Sequence, residues 1–140
     1  MHGPSLHILC VEDHRDTADV VCRLLRAEGH RVTPAASYVE ALDLIATRDF
    51  DLLVTDIGLP DGTGLDLVAP WRLNQPHKPC VAVSGYGMPH DVKRGAAAGF
   101  DYYLVKPIVL SALLDVVRHV RGTPPAAIGP GNSFPTRASA

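Results

Sequence analysis

The sequence predicts an α/β fold with one parallel five-stranded sheet and helices on both of its faces. Five short apolar segments alternate strictly with five segments whose apolar residues recur at helical spacing. Alternating strands and helices form parallel sheets, because each helix carries the chain back to the start of the next strand. In addition, polar residues directly follow four of the apolar segments, at the strand ends where open parallel sheets carry functional groups.

The apolar segments predict short, buried strands. The third strand ends abruptly in Asp56, before a Pro-Asp-Gly turn signal. The second contains Pro34, which has no main-chain N–H to donate and therefore favours the edge of the sheet. The five predicted strands are residues 6–11, 31–35, 52–56, 80–84 and 101–105.

Capping residues and apolar spacing place the helices. Asp16 or Thr17 is predicted to cap the first helix, and Gly29 to follow its end. Ser37 is predicted to cap the second helix, and Pro89 suits the first turn of the fourth. We expect the fourth helix to be held least firmly, because alanine buries little area and glycine weakens a helix. The predicted helices are residues 16–28, the segment after Ser37 with Ala41, Leu42, Ile45 and Ala46 inward, residues 65–74, a helix that starts near Pro89 and ends at Gly99, and residues 110–121.

Composition favours a globular cytoplasmic domain. The net charge is −2 with no long run of Lys or Arg, so we expect no nucleic-acid or membrane surface. No signal-peptide pattern follows Met1, and no apolar run approaches the roughly 20 residues of a membrane span. The 7 His and 3 Cys lack zinc-site spacing, so we interpret them as ordinary surface and packing residues.

The folded part is predicted to be a single domain spanning residues 6–121, after a short N-terminal lead of residues 1–5. Residues 122–140 are rich in Pro, Gly, Ser and Ala, which predicts a tail or linker. A stand-alone protein and a domain excised from a longer one are both compatible with this organisation.

Charged residues at the strand ends predict a site for Mg²⁺ and a phosphoryl group. Glu12 and Asp13 follow the first strand, and Asp56 ends the third. Two unit charges at about 4 Å repel by roughly 4 kcal/mol at an effective dielectric near 20, so converging carboxylates favour a hard divalent cation. Ser84 and Lys106, at the ends of the fourth and fifth strands, suit the oxygens of a phosphoryl group with an Asp as acceptor.

These motifs resemble the receiver domain of two-component response regulators. The resemblance covers residues 6–121 and rests on Glu12-Asp13, Asp56 with Leu59-Pro60 and Gly64, Ser84-Gly85, and Lys106-Pro107. It implies a doubly wound, flavodoxin-like (βα)5 fold with strand order 2-1-3-4-5. Residues 84–87 and 98–107 are most similar to receivers attached to hybrid sensor kinases.

The resemblance also implies a function for the strand-end residues. Asp56 would accept a phosphoryl group from a histidine kinase or a phosphotransfer protein. Asp13, Asp56 and the Gly58 main-chain carbonyl would hold Mg²⁺, with Glu12 binding largely through water. Lys106 would pair with the phosphoryl oxygens, and the Lys106-Pro107 bond would be cis.

The implied switch involves two further residues. Ser84 would move to the phosphoryl group, and Tyr103 would follow it inward, so that the fourth helix responds. The chain departs from the family pattern in having Glu-Asp where Asp-Asp is also common and Ser84 where Thr is frequent. Gly58 and Tyr86 occupy the two positions that tune dephosphorylation in the family.

Three alternative functions would make different demands on the sequence. An aspartyl-phosphate hydrolase would need Asp-x-Asp after the first strand and a cap domain. A flavodoxin-like FMN carrier would need a phosphate loop where two acids stand. A degenerate receiver acting only as an interaction module would not need Asp13, Asp56 and Lys106 together.

We expect a signalling domain that catalyses only its own phosphorylation and dephosphorylation, not an enzyme acting on other substrates. No helix-turn-helix fits in the last residues, so direct DNA binding is not expected. The output is expected through protein contacts on the face formed by the fourth helix, fifth strand and fifth helix.

Overall fold

A parallel sheet forms the centre of the protein. The computed structural model describes residues 5–85 and 89–122, and for residues 89–92 it describes the main chain alone. Three parts of the sequence prediction lie outside the described residues: residues 123–140 of the predicted tail 122–140, residues 1–4 of the predicted lead, and Tyr86. The strands are β1 (His7–Val11), β2 (Arg31–Ala35), β3 (Leu52–Asp56), β4 (Cys80–Ser84) and β5 (Tyr102–Val105).

The strand order is β2-β1-β3-β4-β5, with every neighbouring pair parallel. This confirms the α/β class and the 2-1-3-4-5 order that the resemblance implied. Pro34 lies in β2 at the sheet edge, also as expected, because an edge strand leaves one side without ladder hydrogen bonds.

In the part of the chain that the structure describes, five α-helices connect and cover the strands: α1 (Arg15–Ala27), α2 (Tyr38–Thr47), α3 (Val68–Asn74), α4 (Pro89–Ala98) and α5 (Leu110–Gly122). Successive residues of a strand point to opposite faces of the sheet, so Ile8 and Cys10 contribute to one core layer and Leu9 and Val11 to the other. Helices α1 and α5 complete the first layer, and α2 and α3 complete the second. Within the described ranges, none of these helices is long and apolar enough to cross a membrane.

The start of α1 corrects the sequence prediction. The N-cap position is occupied by His14, not by Asp16 or Thr17, and its side chain makes no capping hydrogen bond. The Oε2 atom of Glu12 accepts a hydrogen bond from the main-chain N–H of His14 at 3.0 Å, which sets the turn directly behind the acid pair. Asp16 therefore lies inside the first turn, where its charge interacts favourably with the helix dipole.

Two predicted caps are confirmed. Ser37 Oγ accepts a hydrogen bond from the Glu40 main-chain N–H at 3.1 Å, at the N-terminus of α2. Gly29 follows the C-cap of α1 with φ of 95°, a left-handed conformation that glycine adopts without a Cβ clash.

The segment after β3 is more ordered than the predicted loop. Gly58–Leu59 and Gly62–Thr63 pair as a short antiparallel hairpin, which we call the β3 hairpin. A 3-10 turn, Gly64–Leu67, follows before α3 begins, so the predicted helix 65–74 is helical in two parts. The Thr63 side chain caps this turn by accepting a hydrogen bond from the Leu65 main-chain N–H at 3.2 Å.

Candidate functional site

The parallel register brings the predicted site residues together at the edge of the sheet that is formed by the carboxyl ends of the strands. Val11 lies beside Thr55, so Glu12 and Asp56 follow at the same level of neighbouring strands. Asp56 pairs with Val83, and Ser84 pairs with Val105, which precedes Lys106. The carboxyl ends of β1, β3, β4 and β5 therefore meet, as the sequence predicted.

Lys106 joins two of the carboxylates. Its Nζ donates to Asp56 Oδ2 at 2.7 Å and lies 3.1 Å from Glu12 Oε1. Partial burial lowers the pKa of Lys106, but the hydrogen bonds to Asp56 and Glu12 outweigh it and the net pKa is raised. The ammonium is therefore charged at neutral pH and holds the Asp56 side chain toward β5.

Asp56 is the most enclosed aspartate of the edge. Its side chain is 8% exposed, whereas the side chain of Asp13 is 32% exposed. Its second oxygen, Oδ1, accepts a hydrogen bond from the Gly58 main-chain N–H at 3.2 Å. Both carboxylate oxygens of Asp56 are thus oriented by residues of this edge. On the other side of the site, the peptide bond between Lys106 and Pro107 is cis, as expected.

The donor set suits a hard divalent cation. One ligand atom from each of Glu12, Asp13 and His14 lies within 4.8 Å of the others. Glu12 and Asp56 both contact the Lys106 ammonium, and Asp13 lies beside His14 at 3.7 Å, so the two carboxylates on Lys106 carry more negative charge than its ammonium balances. A cation could neutralise this excess. His14 was not predicted as part of the site; it is 75% exposed, and its nitrogen suits softer metals than Mg²⁺.

The β3 hairpin is held tightly against Asp56. The Gly64 main-chain N–H donates to the Ile57 carbonyl at 2.8 Å. A Cβ at Gly64 would collide with the main-chain carbonyl oxygen of Asp56, so only glycine allows this approach. Gly64 was recognised in the sequence as part of the motif. The contact with Asp56 that requires a glycine at this position is seen only in the structure.

Ser84 and Tyr103 are both buried beside the edge. Tyr103 is 4% exposed, and its ring lies against Gly95 of α4, where a Cβ would approach Tyr103 Cδ2 to 2.8 Å. Gly95 lowers the helix propensity of α4, but it also makes room for the inward Tyr103 ring. The switch roles of Ser84 and Tyr103 stay predictions.

An open depression of about 440 Å³ lies next to Lys106. It is lined by His14, Thr17, Lys106, Pro107 and Ile108, and it gives access to the edge from the side of α1. Sequence reasoning missed Thr17 and Ile108 as lining residues, because their proximity depends on how α1 packs beside the β5–α5 connection.

Together, the fold and this edge define a class of single-sheet α/β domains with an acid pair, a central aspartate and a lysine at the carboxyl ends of the strands. The family model of the response regulator receiver domain matches residues 8–118. The chain belongs to this family. It is a receiver domain of two-component response regulators, a signalling domain of a kind that is phosphorylated on aspartate.

Similar proteins include receivers from several bacteria. The chain is 31% identical over 117 residues to the sensory/regulatory protein RpfC of Xanthomonas campestris pv. campestris, covering 81% of this chain and 16% of RpfC. The chain thus spans a small part of that relative. Receiver domains of this family interact with histidine kinases or phosphotransfer proteins, and they generally bind Mg²⁺.

Two solved structures show the same fold. The chemotaxis response regulator CheY4 of Vibrio cholerae superposes with a TM-score of 0.78 at 27% identity, covering 84% of this chain and 99% of CheY4. A response regulator from Burkholderia pseudomallei, with a phosphorylated aspartic acid, calcium ion and citrate, gives a TM-score of 0.72 at 29% identity. That match covers 77% of this chain and 64% of the other.

Proposed function

We propose that Asp56 is the phosphoacceptor of this receiver domain, in a Mg²⁺-dependent reaction with a histidine kinase or phosphotransfer protein. The observation that carries the proposal is the position of Asp56 in the centre of the edge, with one oxygen on Lys106 Nζ and the other on the Gly58 N–H. This carboxylate is enclosed and oriented, and its partner Lys106 lines the open depression through which a donor can approach.

The residues of the edge divide the work of phosphoryl transfer. An Asp56 oxygen bonds to phosphorus while the P–N bond of the phosphohistidine breaks and its electron pair leaves with the imidazole nitrogen. Lys106 then contacts a phosphoryl oxygen in place of Asp56 Oδ2. Glu12, Asp13, Asp56 and the Gly58 carbonyl would hold Mg²⁺, which when bound neutralises the charge of the phosphoryl group.

Phosphorylation is proposed to change partner binding through Ser84, Tyr103 and α4. The Ser84 hydroxyl is buried at the end of β4, one strand away from Asp56, and it would donate to the phosphoryl group. Tyr103 connects this event to α4 through its contact with Gly95. The proposed output surface is the face formed by α4, β5 and α5. The proposed partner at this surface is a protein rather than nucleic acid. We also propose that the domain is cytoplasmic.

The direct test is incubation with Mg²⁺ and acetyl phosphate, followed by intact mass measurement before and after acid or base treatment. Wild type is expected to gain one labile phosphoryl group, and Asp56→Asn none. Asp43→Asn, an exposed aspartate of α2, is the matched control and should gain as much as wild type. No gain in wild type would refute the phosphoacceptor role and favour the degenerate receiver, and a gain that survives in Asp56→Asn would assign another residue.

The same reaction separates a switch from a hydrolase. Orthophosphate release is expected to be slow and to follow decay of the phosphorylated protein, as for a domain that dephosphorylates only itself. Sustained, fast hydrolysis of acetyl phosphate at many turnovers per protein would instead make the domain an enzyme.

The Tyr103 contact predicts an unusual response to a Gly95→Ala substitution. Alanine should add about 1 kcal/mol of helix propensity, but overpacking against Tyr103 costs about 1–3 kcal/mol, so net stability is expected to fall. The ring should also shift outward, which ¹⁹F NMR of fluorotyrosine at position 103 can detect.

Gly122→Ala in α5 is the control for this prediction, because a Cβ there meets open space. It should be neutral or stabilising in chemical denaturation and leave the Tyr103 resonance unchanged. If Gly95→Ala were as benign as Gly122→Ala, the close fit of Tyr103 under α4 would be wrong.

A further inference from the structure

The N-terminus of α2 is capped twice, once by a residue outside the helix and its flanks. Ser37 provides the local cap, on the Glu40 N–H. Asp61, from the turn of the β3 hairpin, accepts hydrogen bonds from the Tyr38 N–H on Oδ1 at 2.7 Å and from the Val39 N–H on Oδ2 at 3.0 Å. Both oxygens of Asp61 are therefore occupied by main-chain groups more than twenty residues earlier in the sequence.

A second contact joins the hairpin to the same place. The Tyr38 ring packs on Gly62, where a Cβ would lie 3.0 Å from Tyr38 Cγ. Asp61 and Gly62 thus attach the turn of the hairpin to the first residues of α2, one by hydrogen bonds and the other by close packing.

The base of the hairpin is attached to β3. Gly64 donates to the Ile57 carbonyl and approaches the Asp56 carbonyl too closely for a Cβ. Gly58 lies between the two attachments: it pairs with Thr63 across the hairpin and donates its N–H to Asp56 Oδ1. Gly58 has no side chain and no neighbour within 4 Å of a Cβ position, so side-chain packing does not hold it.

We propose that Asp61 is a positioning residue of the metal site, which holds the β3 hairpin on α2 and thereby orients the Gly58 carbonyl and the Asp56 carboxylate. The inference rests on the proposed function, because it assigns the Gly58 carbonyl to Mg²⁺. Asp61 does not touch the metal or the phosphoryl group; it acts through the hairpin.

The charge state of Asp61 is consistent with this role. Hydrogen bonds from the main-chain N–H groups of Tyr38 and Val39 lower its pKa, so the carboxylate is ionised at neutral pH. A carboxylate at a helix N-terminus also interacts favourably with the helix dipole. The link between α2 and the hairpin is therefore present under the conditions in which the site would bind Mg²⁺.

The test compares Asp61→Ala with Ser37→Ala. Each substitution removes a cap from the same end of α2, but only Asp61 also holds the hairpin, so effects of weakened capping alone are shared by both variants. Metal affinity is measured directly by Mn²⁺ titration with EPR detection, and the Mg²⁺ concentration for half-maximal phosphorylation by acetyl phosphate is measured in parallel.

We expect Asp61→Ala to weaken Mn²⁺ binding about tenfold, the low end of the range for residues that orient ligands, because Asp61 is exposed. The half-maximal Mg²⁺ concentration should rise by a similar factor, with the maximal rate at saturating Mg²⁺ largely retained. Ser37→Ala should leave both values unchanged, and Asp61→Asn, with one acceptor oxygen, should fall between wild type and Asp61→Ala.

The positioning role would be overturned if wild type and Asp61→Ala bound Mn²⁺ with equal affinity. It would also be overturned if Asp61→Ala and Ser37→Ala lost the same Mn²⁺ affinity. These outcomes are distinct from failure of the proposed function, which appears as absence of phosphorylation in wild type whatever the Asp61 variants do. A wild type that binds no Mn²⁺ would refute the inference together with the metal site on which it rests.

Discussion

Replacement of Lys106 by methionine is expected to slow phosphorylation of Asp56 on the order of 100-fold, the typical cost of removing one electrostatic contact to a transition state. The ammonium lies 2.7 Å from Asp56 Oδ2 and is the cation placed to meet the new charge of the phosphoryl oxygens. Methionine keeps a similar apolar stem and removes the ammonium, with both its charge and its hydrogen-bond donors. The rate is measured with acetyl phosphate at saturating Mg²⁺.

The same substitution should tighten metal binding. Lys106 occupies Oδ2 of Asp56 and Oε1 of Glu12, so it competes with a divalent cation for the same negative charge. We expect Mn²⁺ affinity to rise about tenfold in Lys106→Met, equivalent to about 1.4 kcal/mol. Opposite changes in affinity and rate cannot arise from simple misfolding.

The matched control is Lys78→Met. Lys78 also pairs with an aspartate, at 3.0 Å from Asp51 Oδ1, but that pair lies near the start of the strands, where Asp51 also accepts the His7 N–H. It should change neither the phosphorylation rate nor Mn²⁺ affinity. If Lys106→Met phosphorylated as fast as Lys78→Met, Lys106 would have no part in the transfer.

Replacement of Asp101 by alanine is expected to lower the free energy of unfolding by about 3 kcal/mol, the cost of leaving buried partners without their carboxylate. Asp101 Oδ2 accepts from Arg72 at 2.9 Å and from the buried Cys80 N–H at 2.9 Å. Arg72 also donates to the carbonyls of Lys78 and Gly99, so this group joins α3, β4 and the end of α4. Arg72 is about one-third exposed, which keeps the loss below the full cost of a buried pair.

Two comparisons define this second prediction in urea denaturation. Glu28→Ala breaks the exposed pair with Arg118 and should cost less than about 1 kcal/mol. Asp101→Asn, which keeps an oxygen for the Cys80 N–H, should fall between the two. Because the Asp101 network lies at the opposite end of the sheet from Asp56, the Mn²⁺ affinity of Asp101→Ala should equal that of wild type. Comparable losses of unfolding free energy in Glu28→Ala and Asp101→Ala would show that burial does not cause the destabilisation.

Much of the candidate site could be recognised before the fold was known. The acid pair, Asp56, Ser84 and Lys106 each follow an apolar segment, and parallel strands necessarily bring their carboxyl ends together. Local chemistry also predicted two features of the fold. Strand β2 lies at the lateral edge because Pro34 lacks an N–H, and α1 ends at Gly29 because glycine tolerates a positive φ.

Side-chain contacts that form only in the folded chain account for what was missed. The N-cap of α1 depends on the Glu12 side chain, not on the best capping residue nearby. Gly95 resembles a weak helix position until the Tyr103 ring is placed against it. Neither contact has a signature in spacing or composition.

Local sequence alone thus determined the order of the elements, the sheet edge at which the chemistry lies and the residue types available there. Each of these depends on interactions within a few residues or on the period of apolar side chains. The tertiary structure decided how those residues are held: Asp61 on α2, Gly64 under Asp56, and Lys106 between two carboxylates. The physical reason is that these contacts join residues more than twenty positions apart or depend on close packing, which only the folded chain brings into being.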